Sequence, residues 1–129
     1  MKTVYYHGEE FLDYYVRENG EVINRHTGRK LKASSDSTCH YPRVSLNGRK
    51  FLLHRIVAEA FVPLGKPSAS IANKEWVNTP ASVKQLIMKT MFVNHIDHDK
   101  DNYHYSNLEW VTAEENARKR NDFYSGRAV

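Results

Sequence analysis

Apolar positions in the first fifty residues come in short alternating runs broken by turn residues. The stretch YYVRENGEVINRHTGRKLK carries Asn19-Gly20 and Thr27-Gly28, with Val22 and Ile23 between them. YPRVSLNGRKFLL repeats the device. Val44 and Leu46 alternate with Arg43 and Ser45, Asn47-Gly48 supplies the turn, and Phe51 and Leu53 return. Asn-Gly accepts the positive φ angles of a two-residue hairpin, so these are antiparallel hairpins. ASSDSTCH between them is a polar loop. The period then changes. In HRIVAEAFVP, Ile56, Val57, Ala60 and Phe61 recur at helical spacing until Pro63, which predicts a short helix packed on the hairpins. Residues 64–75 are loop-like. TPASVKQLIMKTM predicts a second helix from about Pro80 to Met91, with Thr79 as N-cap and Val83, Leu86, Ile87 and Met91 as its apolar face. Phe92-Val93 then leads a strand, HDKDNYHYSN is a polar loop, and LEWVT is a second strand with Leu108, Trp110 and Thr112 against Glu109 and Val111. Thr112 and Glu115 form a capping box for a last helix ending in Arg118, Lys119 and Arg120. Trp110 and Phe61 read as core.

The whole is an α+β pattern: a small antiparallel β-hairpin region with short helices, plus a C-terminal ββα unit. The divisions fall at 1–63 (β-rich, with the short helix), 64–91 (loop and helix) and 92–129. A chain of 129 residues builds one domain or two small lobes on one core. No run approaches the roughly 20 apolar residues of a membrane span, so no membrane partner is expected. MKTVYYHGEE lacks a signal peptide's apolar stretch. Cys39 is the one cysteine, which excludes an internal disulfide and a cysteine-based zinc site. The cytoplasm is the expected location. The net charge of +4 is uneven: Lys and Arg against Asp and Glu number 10 to 7 over residues 1–64, 4 to 1 over 65–93, and 5 to 7 over 94–129. The basic front suits an anionic partner such as nucleic acid.

The acidic segment holds the densest chemistry. VNHIDHDKDNYHYSNLEWVTAEENARKR packs His95, His98 and His104 with Asp97, Asp99 and Asp101, and with Asn94, Asn102, Asn107 and Asn116. An EF-hand is excluded: its loop wants Gly sixth and Glu twelfth, and Asn102 and Leu108 stand there. A zinc site of His95, His98 and His104 lacks a closed four-ligand pattern. A magnesium-dependent nuclease site fits the residue types better. Phosphodiester hydrolysis needs a base for water and a hard cation on the scissile phosphate. Such a cation takes one or two protein oxygens and leaves the rest to water and phosphate. A strand end offering Asn94 beside His95, facing a helix that offers Asn116, supplies those groups.

Asn94-His95, then Asn107-Leu108 thirteen residues on, then Asn116 nine further, resembles the HNH endonucleases of ββα-metal fold. HRIVAEAF, VNHID and NLEWVT in that order carry the resemblance together. The hairpin region is similar to the DNA-contacting part of phage and intron-encoded, homing-type members. The resemblance implies that Asn94 and Asn116 bind one divalent cation, Mg2+ or Mn2+, that His95 is the general base, and that Asn107 ties the loop through backbone hydrogen bonds. It implies double-stranded DNA as partner, 5′-phosphate and 3′-hydroxyl products, and a host-cell cytoplasm for a phage-encoded chain. One ββα unit cuts one strand at a time, so a double-strand cut needs a homodimer or two visits.

Two departures stand out. Asn94 is neutral where many relatives carry Asp, which also leaves room for a DNA-binding module with a degenerate, inactive site. About thirty residues separate AEAFVP from NHID, where relatives pass quickly; that insert could pack on the core, pair two chains or contact DNA. Arg25, Arg29, Lys30, Arg43, Arg49, Lys50, Arg118 and Arg120 are the candidate DNA contacts, chiefly to phosphate. His7, His26, His40, His98 and His104 read as surface residues, and His54 as a capping or packing residue.

Overall fold

The α+β architecture consists of three small antiparallel sheets gathered around one helix. The structure, a computed structural model, describes residues 1–35 and 41–124, with side chains through Lys119. Cys39, His40 and the Arg120 side chain lie outside the described residues. Strands β1 (Lys2–Tyr6), β2 (Glu9–Val16) and β3 (Val22–Asn24) form the first sheet in that order. Strands β4 (Arg43–Leu46) and β5 (Arg49–Leu52) form the second, and β6 (Phe92–His95) and β7 (Leu108–Val111) the third. Helix α1 spans Leu53–Phe61, α2 Asn73–Val77, α3 Ala81–Thr90 and α4 Ala113–Tyr124.

The local signals act where the pattern puts them. Asn47 and Gly48 turn β4 into β5 with φ of 52° and 81°, the left-handed pair that a tight hairpin requires. Val44 and Leu46 face inward while Ser45 faces out. Thr112 Oγ1 accepts from the Glu115 amide and Glu115 Oε1 from the Thr112 amide, both at 3.1 Å, which closes the capping box. Gly20 allows the β2–β3 turn to press on the later loop: a Cβ there would lie 2.7 Å from Tyr103 Cβ.

Other elements differ from the pattern. The His7-Gly8 turn joins β1 and β2, a hairpin that carries no Asn-Gly signature. Leu53, which continues the alternation of its strand, opens α1 instead. Thr79 does not cap α3: Pro80 holds the N-cap position, and Thr79 Oγ1 donates backward to the Glu75 carbonyl at 2.8 Å, closing the unpredicted α2. The apolar face of α3 is largely uncovered, with Leu86 63% exposed, while Met91 beyond its end is buried. In β7, Leu108 and Val111 are buried and Trp110 only partly so. Trp110 and Phe61 flank the core and are not enclosed by it. Helix α4 runs on to Tyr124, past the basic run that the pattern takes for its end.

The core joins the front and the back of the chain. Val4, Phe11, Val16 and Val22 of the first sheet pack with Ile56, Val57 and Ala58 of α1, and with Val93 and Leu108 of the third sheet. Each buried aliphatic side chain contributes about 1.5–3 kcal/mol.

Two charged side chains sit inside this frame. Arg55 and Glu59 form a pair at 3.2 Å, with side chains 8% and 2% exposed. Arg55 also donates to the carbonyls of Met88 and Met91, both at 2.7 Å, and lies over the Trp110 ring. Glu59 Oε2 accepts from the His7 amide at 3.0 Å. Removing one partner of such a pair strands a buried charge. Arg55→Met should therefore cost about 3–5 kcal/mol in urea denaturation. Arg55→Met with Glu59→Gln, which keeps an acceptor for His7, should recover at least about 1 kcal/mol of that loss. Equal stabilities for the single and double variants would sink this account.

His54 is buried in α1, with its ring 5.0 Å from that of His95 and 4.9 Å from that of Tyr41. Burial pushes its imidazole down to about 3, and the charges of His95 and Arg55 act in the same direction. The unfolded chain protonates this residue near 6.5, while the folded chain does not until about 3. The stability it contributes is present above the first value and lost as pH falls toward the second. Between pH 7 and 5 the loss should be about 2 kcal/mol. His54→Leu should flatten the pH dependence by about that amount, leaving the same-signed slopes of His7 and His95. Denaturant midpoints at the two pH values measure it, and parallel curves would contradict it.

Candidate active site

A cavity of about 330 Å³ opens where β6, α1 and α4 meet. Asn94, His95 and Asn116 all line it, joined by His54, Tyr41, His98 and Lys100. The three residues singled out by their spacing thus reach one concavity, from a strand end and the first turns of a helix.

Each has a local reason for its position. His95 ends β6 opposite Leu108, and Asn94 pairs across the strands with Glu109. Asn94 Nδ2 donates to Glu109 Oε1 at 2.8 Å, and the same oxygen receives Lys119 Nζ at 3.3 Å. This contact consumes the amide's donor end, which leaves its carbonyl oxygen as the hard donor. Asn116 directly follows Glu115 of the capping box, one turn beyond Thr112, with its amide bonded to the Thr112 carbonyl at 2.9 Å. Glu109 and Lys119 are functional candidates that the spacing does not reveal, because only the strand register brings Glu109 opposite Asn94.

His95 is 3% exposed, and its Nε2 has no hydrogen-bond partner among the described residues. An unpaired buried polar atom costs about 1–3 kcal/mol. Such atoms mark places where a bound or reacting group completes the bonding. Burial lowers the imidazole's pKa most, and Lys100 adds to that. Asp97, Asp99 and Asp101 oppose it. The ring is therefore neutral at physiological pH, the form that accepts a proton.

The run of acids and amides after His95 builds a loop. Asp97 Oδ1 accepts from the Asp99 amide at 2.8 Å, and Asp99 Oδ1 from the Asp101 amide at 3.0 Å. Asn102 Nδ2 donates to Asp97 Oδ2 at 2.9 Å, the largest reason that the Asp97 carboxyl sits below its ordinary range. Asn107 closes the loop: Nδ2 donates to Asp97 Oδ1 at 2.9 Å and to the Asn102 carbonyl at 3.1 Å. Its Oδ1 accepts from the Asp97 amide, also at 3.1 Å. The carboxylates of Asp97 and Asp99 are thus consumed by the loop's own amides, so the loop is a scaffold that holds the end of β6.

The histidines separate. His95 and His98 line the cavity, whereas His104 bonds Ser106 at 2.8 Å and faces a different hollow beside Arg17 and Glu18. Among the described residues, no group of three or more His, Cys, Asp or Glu is disposed to hold a metal. The donor set in the cavity is instead two amides and three imidazoles, and the two amide oxygens suit a hard cation that keeps most of its ligands as water and phosphate.

The candidate DNA contacts are spread over the surface. Lys30 pairs with Glu21 at 3.2 Å and Arg49 with Glu9 at 2.8 Å, and Arg25 lies over Tyr15. Arg29 and Lys50 are exposed, and Arg43 is partly buried. Arg118 lines a separate groove with Lys66, Trp110 and Glu114, away from the cavity of His95. No helix among the described residues is long and apolar enough to cross a membrane.

Residues 82–118 match the family model of the HNH endonucleases. An uncharacterised HNH endonuclease of Acanthamoeba polyphaga mimivirus is 30% identical over 109 residues, covering 83% of this chain and 26% of that protein. The HNH homing endonuclease I-HmuI, solved in a study of DNA binding and cleavage, superposes with a TM-score of 0.57 at 27% identity. That match covers 88% of this chain and 53% of I-HmuI, so the chain spans only part of either relative. Residues 82–118 of this chain thus match the HNH endonuclease family, and the fold shared with I-HmuI agrees with that match.

Proposed function

We propose that the protein is a metal-dependent endonuclease that hydrolyses phosphodiester bonds of double-stranded DNA. The observation that carries this reading is the convergence of Asn94, His95 and Asn116 on one cavity, with a neutral, buried base whose Nε2 lacks a partner. The similarity to I-HmuI supports DNA as the substrate.

In this reading His95 takes the proton of the attacking water, and its depressed basicity keeps it ready at neutral pH. The oxygens of Asn94 and Asn116 would hold the cation. A bound Mg2+ or Mn2+ supplies positive charge to the scissile phosphate and to the leaving 3′ oxygen. Glu109 keeps the Asn94 amide from flipping, and Asn107 keeps the loop from shifting the strand end. The products would be 5′-phosphate and 3′-hydroxyl ends, one strand for each unit. Neutral ligands bind a dication weakly alone, so the substrate phosphate would complete the site.

A supercoiled plasmid carrying the protein's own genomic neighbourhood should convert to open circle with Mg2+ or Mn2+ and not with EDTA. His95→Ala should slow that conversion by about 10²–10⁴-fold. Nicking that survives His95→Ala would remove its role as base. A retarded plasmid that is never cut would favour a DNA-binding module with a spent site, the reading to which Asn94 lends itself.

Glu109→Ala releases the Asn94 amide without touching the cavity's own donors. The Mg2+ concentration for half-maximal nicking should rise about 10–100-fold. An unchanged magnesium titration would show that Asn94 needs no orienting partner.

A further inference from the structure

We propose that Lys100 is a phosphate-binding residue of this site, held over Tyr41 so that its ammonium meets the backbone of the DNA being cut. The inference rests on the nuclease reading for its substrate, and adds a group that neither the spacing nor the family resemblance singles out.

Two cations line the cavity, Arg55 and Lys100. Arg55 is consumed by the protein: its guanidinium is shared among Glu59 and the carbonyls of Met88 and Met91. Lys100 is not. It is flanked in sequence by Asp99 and Asp101, yet it forms no ion pair with any described residue. Its Nζ lies instead 4.8 Å from the centre of the Tyr41 ring. That ring in turn stacks on His95, with centroids 5.8 Å apart and planes inclined by 21°. The three side chains form a column from the cavity wall to the candidate base. Lys100 is close enough for its charge to be felt at His95.

A cation resting on an aromatic face keeps its N–H donors for another partner. The neighbouring acids could neutralise it, but Asp99 Oδ1 accepts the Asp101 amide and Asp101 Oδ1 the Tyr103 hydroxyl, and neither carboxylate pairs with Lys100. The loop thus presents toward the cavity one positive charge with no ion-pair partner among the described residues, beside neutral amides, imidazoles and the already paired Arg55. A phosphodiester entering beside Asn94 and Asn116 brings the anion that this charge lacks. An ammonium is a strong point-charge partner for phosphate. Tyr41 sets its position, and the rigid loop makes the contact preorganised.

The test uses the full chain in two assays. The first is metal-dependent plasmid nicking by wild type, Lys100→Gln and Lys100→Arg. The second is binding to a fluorescein-labelled duplex in EDTA, over a series of salt concentrations. Lys100→Gln should nick about a hundredfold more slowly. It should also reduce the slope of log affinity against log salt by about one. Lys100→Arg, which keeps the charge and stacks on aromatic faces, should stay near wild type in both. Matching thermal melts show that each variant is folded. Nicking and a salt slope equal to wild type in Lys100→Gln would overturn the proposal. So would slow nicking with an unchanged slope, because the side chain would then act on the loop or on His95 and not on phosphate. If wild type never nicks but Lys100→Gln still loses one unit of slope, the nuclease reading fails and the phosphate contact stands. If wild type neither nicks nor binds duplex, both fail.

Discussion

The guanidinium of Arg55 is where the separate parts of this chain are tied together. One residue on α1 neutralises Glu59, binds two carbonyls at the end of α3, and covers Trp110 of β7. Glu59 in turn accepts the amide of His7 in the first hairpin. The Met91 carbonyl lies one residue before β6, the strand that ends in Asn94 and His95. Position at the site therefore depends on a buried charge whose own partners come from α1, the end of α3 and β7, with the first hairpin joined through Glu59. Such a pair contributes little over an apolar substitute, but breaking it is costly.

That anchoring explains how a segment with little core of its own leads accurately into the site. Helices α2 and α3 bury none of their residues. They are fastened at the end that matters, by Arg55 and by buried Met91. The exposed apolar face of α3 is compatible with that, because the segment takes its position from hydrogen bonds at its C-terminus and not from a packed surface.

The electrostatics of the cavity follow from where the charges are consumed. Asp97, Asp99 and Asp101 fold the loop, Glu109 holds an amide, and Arg55 holds carbonyls. What faces the cavity is two asparagines, His98, the ammonium of Lys100, and His54 and His95, both kept uncharged by burial. Neutral amides have weak affinity for a cation alone and gain when phosphate arrives beside it, since each supplies the charge that the other lacks. In the proposed function this couples metal binding to substrate binding.

The sequence by itself determined what depends on neighbours a few residues apart. Asn47-Gly48 sets the β4–β5 turn, Thr112 and Glu115 set the start of α4, and the apolar period sets α1. These signals act through backbone conformation within one turn, so no distant contact is needed to read them. The grouping of Asn94, His95 and Asn116 was legible because a strand, a hairpin and a capped helix bring such positions together by local geometry. Thr79 reads as a cap because two residues in succession can start a helix, but its hydroxyl turns back to the Glu75 carbonyl of α2 and Pro80 takes the N-cap position. The rest was settled by tertiary structure. Glu109 reaches Asn94 through strand register, fifteen residues away along the chain. His54 meets His95, and Lys100 meets Tyr41, across separations that no periodic pattern encodes. Burial, which keeps both histidines neutral, is a property of the assembled core and of no single segment.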